Sequence, residues 1–290
     1  MDQRDTLTLA VVNFHAEWGD TAANLTRITE LAREAAGQGA EFVLFPETAL
    51  TGYDHSTERM HERVAETVPG PASDALAAVA REEGIWLACG LAERDPASGA
   101  IYNSAVVLSP QGLVGCYRKI HLPGKESCWA AKGETPLLFD TPWGKVGLGI
   151  CYDTYLFPEL LRHYGALGAR LYLNPTAAPA FAAFDTLYYN QLKARVAENG
   201  FFIASANLVG QDRKSRFPGG SLVIGPGTDV LETVYYGKPL EDMEGIVMAA
   251  IDLSLADRAR DLMPIFTVNP LTGAPDWRPG IYSRLYKAHT

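Results

Sequence analysis

Cys151 is the residue of this 290-residue chain best placed to do chemistry. Before it, Lys145-Val146-Gly147-Leu148-Gly149-Ile150 is apolar, with β-branched residues and glycine, and reads as a buried strand. After Cys151-Tyr152-Asp153, a helical pattern opens at Phe157-Pro158-Glu159-Leu160-Leu161-Arg162. A side chain on a strand-to-helix turn projects from the end of a sheet. Helix N-terminal amides there can lower a thiol's pKa and hold an oxyanion. Such a cysteine is either a nucleophile or a buried structural thiol, and its partners decide which. Three charged side chains stand where other strands give way to loops. Glu47 closes the apolar run 41–46, Lys119 follows Tyr117-Arg118, and Glu126 lies in Gly124-Lys125-Glu126-Ser127. A carboxylate at a strand end is commonly no more than solvated. The carboxyl ends of several strands can converge, however, and α/β proteins put their sites there.

Neighbouring groups have plainer readings. His121 could pair with a cysteine but is expected to be a structural partner of its loop, and Asp153 to bond backbone at the helix start. Arg195 and Glu198, three apart on one helix, read as a partly buried ion pair. Cys128 is expected to pack, the alternative being that it lines a pocket.

The elements that must position these residues follow from hydrophobic periodicity. Residues 6–12 suit a strand, 24–37 a helix, 41–46 a strand, 73–83 a helix and 85–90 a strand. That β-α-β-α-β order implies right-handed crossovers and a sheet with helices on its outer face. Apolar runs 104–108 and 113–117 flank Ser109-Pro110-Gln111-Gly112, a hairpin signature. Beyond Cys151 a helix is expected at 157–167, a strand at 169–173, a helix at 184–199, and strands at 201–206, 220–224 and 245–251. This alternation implies one α/β domain spanning residues 1–260. The tail 261–290, rich in proline and aromatics and without clear periodicity, is expected to lie on that domain or on a partner subunit.

Composition narrows the function classes. An apolar fraction of 47% and a charged fraction of 20% are those of a globular protein. A net charge of −9, with no basic cluster, argues against nucleic acid or an anionic membrane as partner. No apolar run approaches the roughly 20 residues of a membrane span. The polar start Met1-Asp2-Gln3-Arg4-Asp5 does not resemble a signal peptide, so a cytoplasmic protein is expected. Cys89, Cys116, Cys128 and Cys151 are far apart, with no Cys-x-x-Cys spacing, so a zinc site or a disulfide framework is not expected.

Three blocks carry a resemblance. Phe45-Pro46-Glu47 with Gly52-Tyr53, Tyr117-Arg118-Lys119-Ile120-His121-Leu122, and Gly149-Ile150-Cys151-Tyr152-Asp153 resemble the signature blocks of the nitrilase, or carbon–nitrogen hydrolase, superfamily. Tyr102-Asn103-Ser104, the stretch 194–200, Gly219-Gly220-Ser221 and Arg278-Pro279-Gly280-Ile281-Tyr282 support it, in order along nearly the whole chain. The resemblance implies a four-layer α-β-β-α sandwich and a Glu-Lys-Cys site made of Glu47, Lys119 and Cys151. It also implies a second glutamate, for which Glu126 fits best and Glu134 competes. Tyr53, Trp129, Tyr152 and Tyr155 are the expected substrate contacts. In the implied chemistry Glu47 takes the thiol proton as sulfur attacks, Lys119 and the Tyr152 amide hold the oxyanion, and Glu47 or Glu126 activates water on a thioester. No metal or organic cofactor is required, and association through the tail into a homodimer or higher homo-oligomer is expected.

Tyr152-Asp153 after the cysteine resembles the amidase and carbamoylase branches, whereas true nitrilases commonly carry Trp-Glu. The uncharged stretch Thr154-Tyr155-Leu156 favours a small neutral amide over a carboxylated one. The alternatives are an N-carbamoyl amine or amino-acid hydrolase and a catalytically silent scaffold of the same fold. One residue more than the family pattern separates Asp153 from Phe157, which is expected to reshape the pocket floor.

Overall fold

Side chains along the first strand sort into two cores with a period of two. Leu7, Leu9 and Val11 enter one, Ala10 and Val12 the other. A strand buried on both faces needs a layer on each side. The computed structural model describes residues 3–53, 60–229, 232–263 and 265–287; Met1, Asp2, Pro264 and the last three residues of the expected tail lie outside them.

In chain order the elements are β1 (Thr6–Asn13), α1 (Thr21–Gly37), β2 (Phe42–Leu44), α2 (Pro71–Glu83), β3 (Trp86–Arg94), β4 (Ile101–Ser109) and β5 (Gly112–Arg118). There follow β6 (Leu137–Thr141), β7 (Gly144–Leu148), α3 (Tyr152–Leu156), α4 (Pro158–Ala166), β8 (Ala169–Thr176), α5 (Gln191–Asn199) and β9 (Phe202–Asn207). The chain continues with β10 (Val209–Gln211), β11 (Arg216–Pro226), β12 (Thr233–Glu241), β13 (Gly245–Asp252), α6 (Ser254–Leu262) and α7 (Pro279–Lys287). One sheet has the order β13-β1-β2-β3-β4-β5, and the other β10-β11-β9-β8-β7-β6 with β12 also on β11. Within them β1-β2-β3 and β7-β8-β9 run parallel, joined by helical crossovers.

Val43, Ile28 and Leu31 of α1 and Leu76 and Val79 of α2 share one core on the outer side of the first sheet. Leu9, Val11 and Leu44 share the other core with Leu148, Leu171, Leu173 and Ile224 of the second sheet and with Leu161 and Leu192 of α4 and α5. The layers are therefore α-β-β-α, as the resemblance implies.

The differences from the sequence reading have local causes. Pro158 forbids helical backbone at the residue before it, so Phe157 sits at φ −121° and ψ 81° and separates α3 from α4. Residues 184–199 begin with a π-helical turn, Thr186–Asn190, before α5. Strands β6, β10 and β12 and helices α6 and α7 add to the expected set. In the tail, the Phe266 ring lies beneath the Arg162 guanidinium and beside Gly165. Helix α7 keeps Tyr282, Leu285 and Tyr286 exposed. Among the described residues no helix is long and apolar enough to cross a membrane.

Gly90 fixes the turn that carries Glu47. As β2 ends, Phe45 N–H donates to Ala88 (2.8 Å), Gly90 N–H to Pro46 (3.1 Å) and Leu50 N–H back to Gly90 (3.1 Å). A Cβ on Gly90 would lie 2.4 Å from the Pro46 oxygen and 2.6 Å from Glu47 Cα, so only glycine lets the Glu47 turn close on β3. Gly90→Ala is expected to destabilise the fold by about 1–3 kcal/mol, as overpacking of a rigid site does. Chemical denaturation checks this; an unchanged midpoint would refute it.

Candidate active site

Glu47 leaves the end of β2, Lys119 the end of β5, and Glu126 the short 3-10 turn Gly124–Cys128. All three are buried, and they meet. Lys119 Nζ donates to Glu47 Oε1 at 2.6 Å and to Glu126 Oε2 at 3.0 Å. Asn103, on β4, donates from Nδ2 to Glu47 Oε1 (2.6 Å) and to Glu126 Oε1 (2.9 Å). Tyr53 Oη donates to Glu126 Oε2 at 2.5 Å, and the Ala177 amide to Glu47 Oε2 at 2.7 Å. Glu134 is exposed and borders a separate surface pocket with Arg118 and Lys132, so Glu126 is the second glutamate at the lysine.

The nucleophile candidate arrives from the other sheet. Cys151 sits between β7 and α3 at φ 50° and ψ −102°, a conformation rare for a residue with a side chain. Neighbours over-determine that turn. Cys151 N–H donates to Pro175 O (3.0 Å) and Asn174 Oδ1 (3.2 Å). The Asp153 carboxylate accepts from Ile150 N–H (3.0 Å), Tyr117 Oη (2.8 Å) and His121 N–H (2.9 Å). His121 Nδ1 lies 2.7 Å from Asp153, and its ring stacks on Phe157 with centroids 3.5 Å apart. His121 is thus part of the scaffold of the turn.

Electrostatics divide the group. Burial first, and then the Glu47 charge, push the Cys151 thiol up; Lys119 and hydrogen bonds from Thr176 and the Ala177 amide pull it down less. This corrects the expectation that helix amides would lower its pKa. Helix α3 has only five residues, and burial and the Glu47 carboxylate favour the neutral thiol. Burial would lower the Lys119 ammonium's pKa, but the Glu126 and Glu47 carboxylates more than offset it and hold the lysine charged. Glu126 is raised by burial and by Glu47, against the pull of Lys119, Tyr53 and Asn103. Tyr53 is held neutral by burial and the two carboxylates. The Ala177 amide bonds Glu47, and after burial the Glu47 carboxylate is the largest influence on the Cys151 thiol, so carboxylate and thiol are neighbours.

Cys151 opens into a cavity of about 440 Å³. Tyr53, Tyr152 and Tyr155 line it, as the sequence suggests. Trp129 does not. Its backbone N–H turns back to Glu126 O (3.0 Å), and its indole stacks on His61 with centroids 3.7 Å apart, behind the turn that carries Glu126. Cys128 is exposed and outside the lining. Arg195 pairs with Glu198 at 2.9 Å and caps the Thr154 and Tyr155 carbonyls at 3.0 Å each, so α5 holds the segment that follows Asp153.

Sequence reasoning missed Asn103, Asn174, Thr176, Phe181, Leu187 and Tyr188. Only the polar ones had a signal, namely an amide or hydroxyl inside an otherwise apolar strand run. Leu187 and Tyr188 reach the cavity from the π-helical turn, a deviation that periodicity does not announce.

Residues 8–261 match the carbon–nitrogen hydrolase family. A nitrilase of Pyrococcus abyssi is 33% identical over 263 residues, covering 89% of this chain and 95% of its own. The human (Homo sapiens) omega-amidase NIT2 is 34% identical over 259 residues, covering 84% and 88%. Among solved structures, an amidase from Nesterenkonia sp. is 29% identical with a TM-score of 0.74, covering 90% of this chain and 97% of its own. A variant of the Nesterenkonia sp. AN1 amidase is 28% identical with a TM-score of 0.75 over the same shares, and carries the acetamide moiety of fluoroacetamide covalently added at its active-site cysteine. With motifs, layers and a match over most of its length in agreement, this chain belongs to the carbon–nitrogen hydrolase family.

Proposed function

We propose that this protein is an amidase that hydrolyses small neutral amides to a carboxylic acid and ammonia through a Cys151 thioester. The orientation of three tyrosines carries the substrate reading. Tyr53 Oη donates to Glu126, and Tyr155 Oη donates to Thr176 (3.1 Å) while accepting from Asn174 (3.0 Å). Tyr188 Oη pairs with Ser205 at 2.9 Å. These three hydroxyls are committed inside the protein, so these tyrosines meet the occupant with their rings, together with Leu156, Phe181 and Leu187, while Glu126 and Tyr152 are the polar members of the lining beside Lys125. No arginine lines it among the described residues, and Lys125 is exposed at its mouth. A charged acyl group would lose its water there without gaining a buried partner.

The chemistry follows from the protonation states. The resting thiol keeps its proton, so attack on the amide carbon proceeds with transfer of that proton to Glu47, which stands beside it. As the C–N bond breaks, the same proton goes to the departing nitrogen and ammonia leaves. Lys119 commits two hydrogens to the carboxylates and offers the third, with the Tyr152 amide, to the oxyanion. Each such donor is worth about 3–4 kcal/mol. Water then attacks the thioester, its proton passing to a carboxylate of the Glu47–Glu126 pair, and the thiol is restored. The glutamate and the cysteine altered in variants of the Nesterenkonia amidase stand the same number of residues apart as Glu47 and Cys151, which supports this assignment.

Ammonia release should separate the candidate substrates. Neutral aliphatic amides such as butyramide are expected to give kcat/KM at least about tenfold above ω-carboxylated amides of equal length, N-carbamoyl amino acids or nitriles. Cys151→Ala should abolish the signal. Preference for the carboxylated amide, lost in Lys125→Ala, would overturn the neutral-substrate reading. Equal behaviour of wild type and Cys151→Ala across the panel would sink the enzyme reading.

The two glutamate candidates give a second contrast. Glu126→Gln is expected to cost about a hundredfold or more in kcat, in the range of proton-transfer groups. Glu134→Gln should stay within twofold of wild type. The reverse order would refute the assignment.

A further inference from the structure

We propose that Asn103 is a positioning residue that holds Glu47, Glu126 and Lys119 in register for proton transfer. The inference rests on the reading of those three residues as the proton-handling group. Asn103 is fully buried and is not among the residues lining the cavity, so it acts through its neighbours. Its side chain gives one Nδ2 hydrogen to each carboxylate. Its backbone carbonyl accepts from the Lys119 amide at 2.8 Å, where β5 has just ended. One residue therefore bonds all three residues: the two carboxylates through its side chain and the Lys119 backbone through its carbonyl.

The side chain's orientation is dictated by charge. Rotating the amide by half a turn would set its oxygen against two carboxylates. The observed orientation leaves Oδ1 buried and without a hydrogen-bond partner among the described residues, a cost accepted for two charge-assisted bonds. Two carboxylates share a single ammonium here. Neutral donors must carry the rest, and among the described residues Asn103 is the one neutral donor that bonds both.

Removing the donor to Glu126 disfavours its ionised form, so a proton binds it at higher pH. Asn103→Leu, close in shape and without a donor, is therefore expected to shift the acid limb of the kcat/KM–pH profile upward by about one unit. At neutral pH kcat should fall about tenfold to a hundredfold with KM within threefold. The iodoacetamide alkylation rate of Cys151, which needs no turnover, should show the same displaced acid limb. A folded Asn103→Leu whose two profiles keep the wild-type limb overturns the proposal, whether or not kcat falls. Where Asn103→Leu does not fold, Asn103→Ser, which retains one donor, carries the same test with a smaller displacement expected and an unmoved limb again contradicting it. Cys151-dependent ammonia release by wild type is measured alongside, so failure of the amidase reading is distinguishable from failure of this one.

Discussion

Two buried carboxylates around one buried ammonium are the arrangement on which the rest of this structure depends. An ionised group taken from water costs several kcal/mol even after relaxation, and a second carboxylate adds repulsion. The site meets this by giving each carboxylate three donors. Glu47 accepts from Lys119, Asn103 and the Ala177 amide; Glu126 accepts from Lys119, Asn103 and Tyr53. Such a set is stable only complete, since a missing donor leaves a buried charge under-partnered. The same low dielectric that makes the cluster demanding also raises the Cys151 thiol, so in the proposed reaction its proton must pass to Glu47 as sulfur attacks.

The sandwich explains how these groups come together. Glu47, Asn103 and Lys119 belong to the first sheet, at or just beyond β2, β4 and β5. Cys151, Asn174, Thr176 and Ala177 belong to the second, at or just beyond β7 and β8. Glu47 and Cys151 therefore meet only across the seam between the sheets, where the Ala177 amide of the second sheet bonds Glu47 of the first. Close backbone approach at Gly90 sets the depth of Glu47 in that seam, and the strained Cys151 turn is fixed by Asp153, Asn174 and the Pro175 carbonyl.

Much of this is legible in the residues. Period-two alternation and helix spacing locate most strands and helices, and the three blocks point to Glu47, Lys119 and Cys151. Their convergence is an expectation from topology: a hydrogen bond joins Lys119 to Glu47, and the Glu47 and Lys119 charges both act on the Cys151 thiol. Less legible is anything that depends on which way a side chain leaves a loop. Trp129 follows Glu126 closely in sequence, yet the turn sends one to the lysine and the other to His61. Glu126 and Glu134 separate only in three dimensions. The sign of the Cys151 shift escapes the sequence because a strand-to-helix turn suggests helix amides, whereas burial and a neighbouring carboxylate are the largest influences on the thiol. Asn103 stands in a recognisable motif, but its bridging of two carboxylates is a fact of the folded chain.

At the centre stands the claim that this buried cluster turns Cys151 into an acyl carrier. The most direct measurement is mass spectrometry of the enzyme acid-quenched during turnover of a short neutral amide. The expected result is a mass increase equal to the acyl group, removable by hydroxylamine and mapping to the peptide that contains Cys151. An acyl group on Cys89, Cys116 or Cys128, or rapid ammonia release by Cys151→Ala, would contradict it.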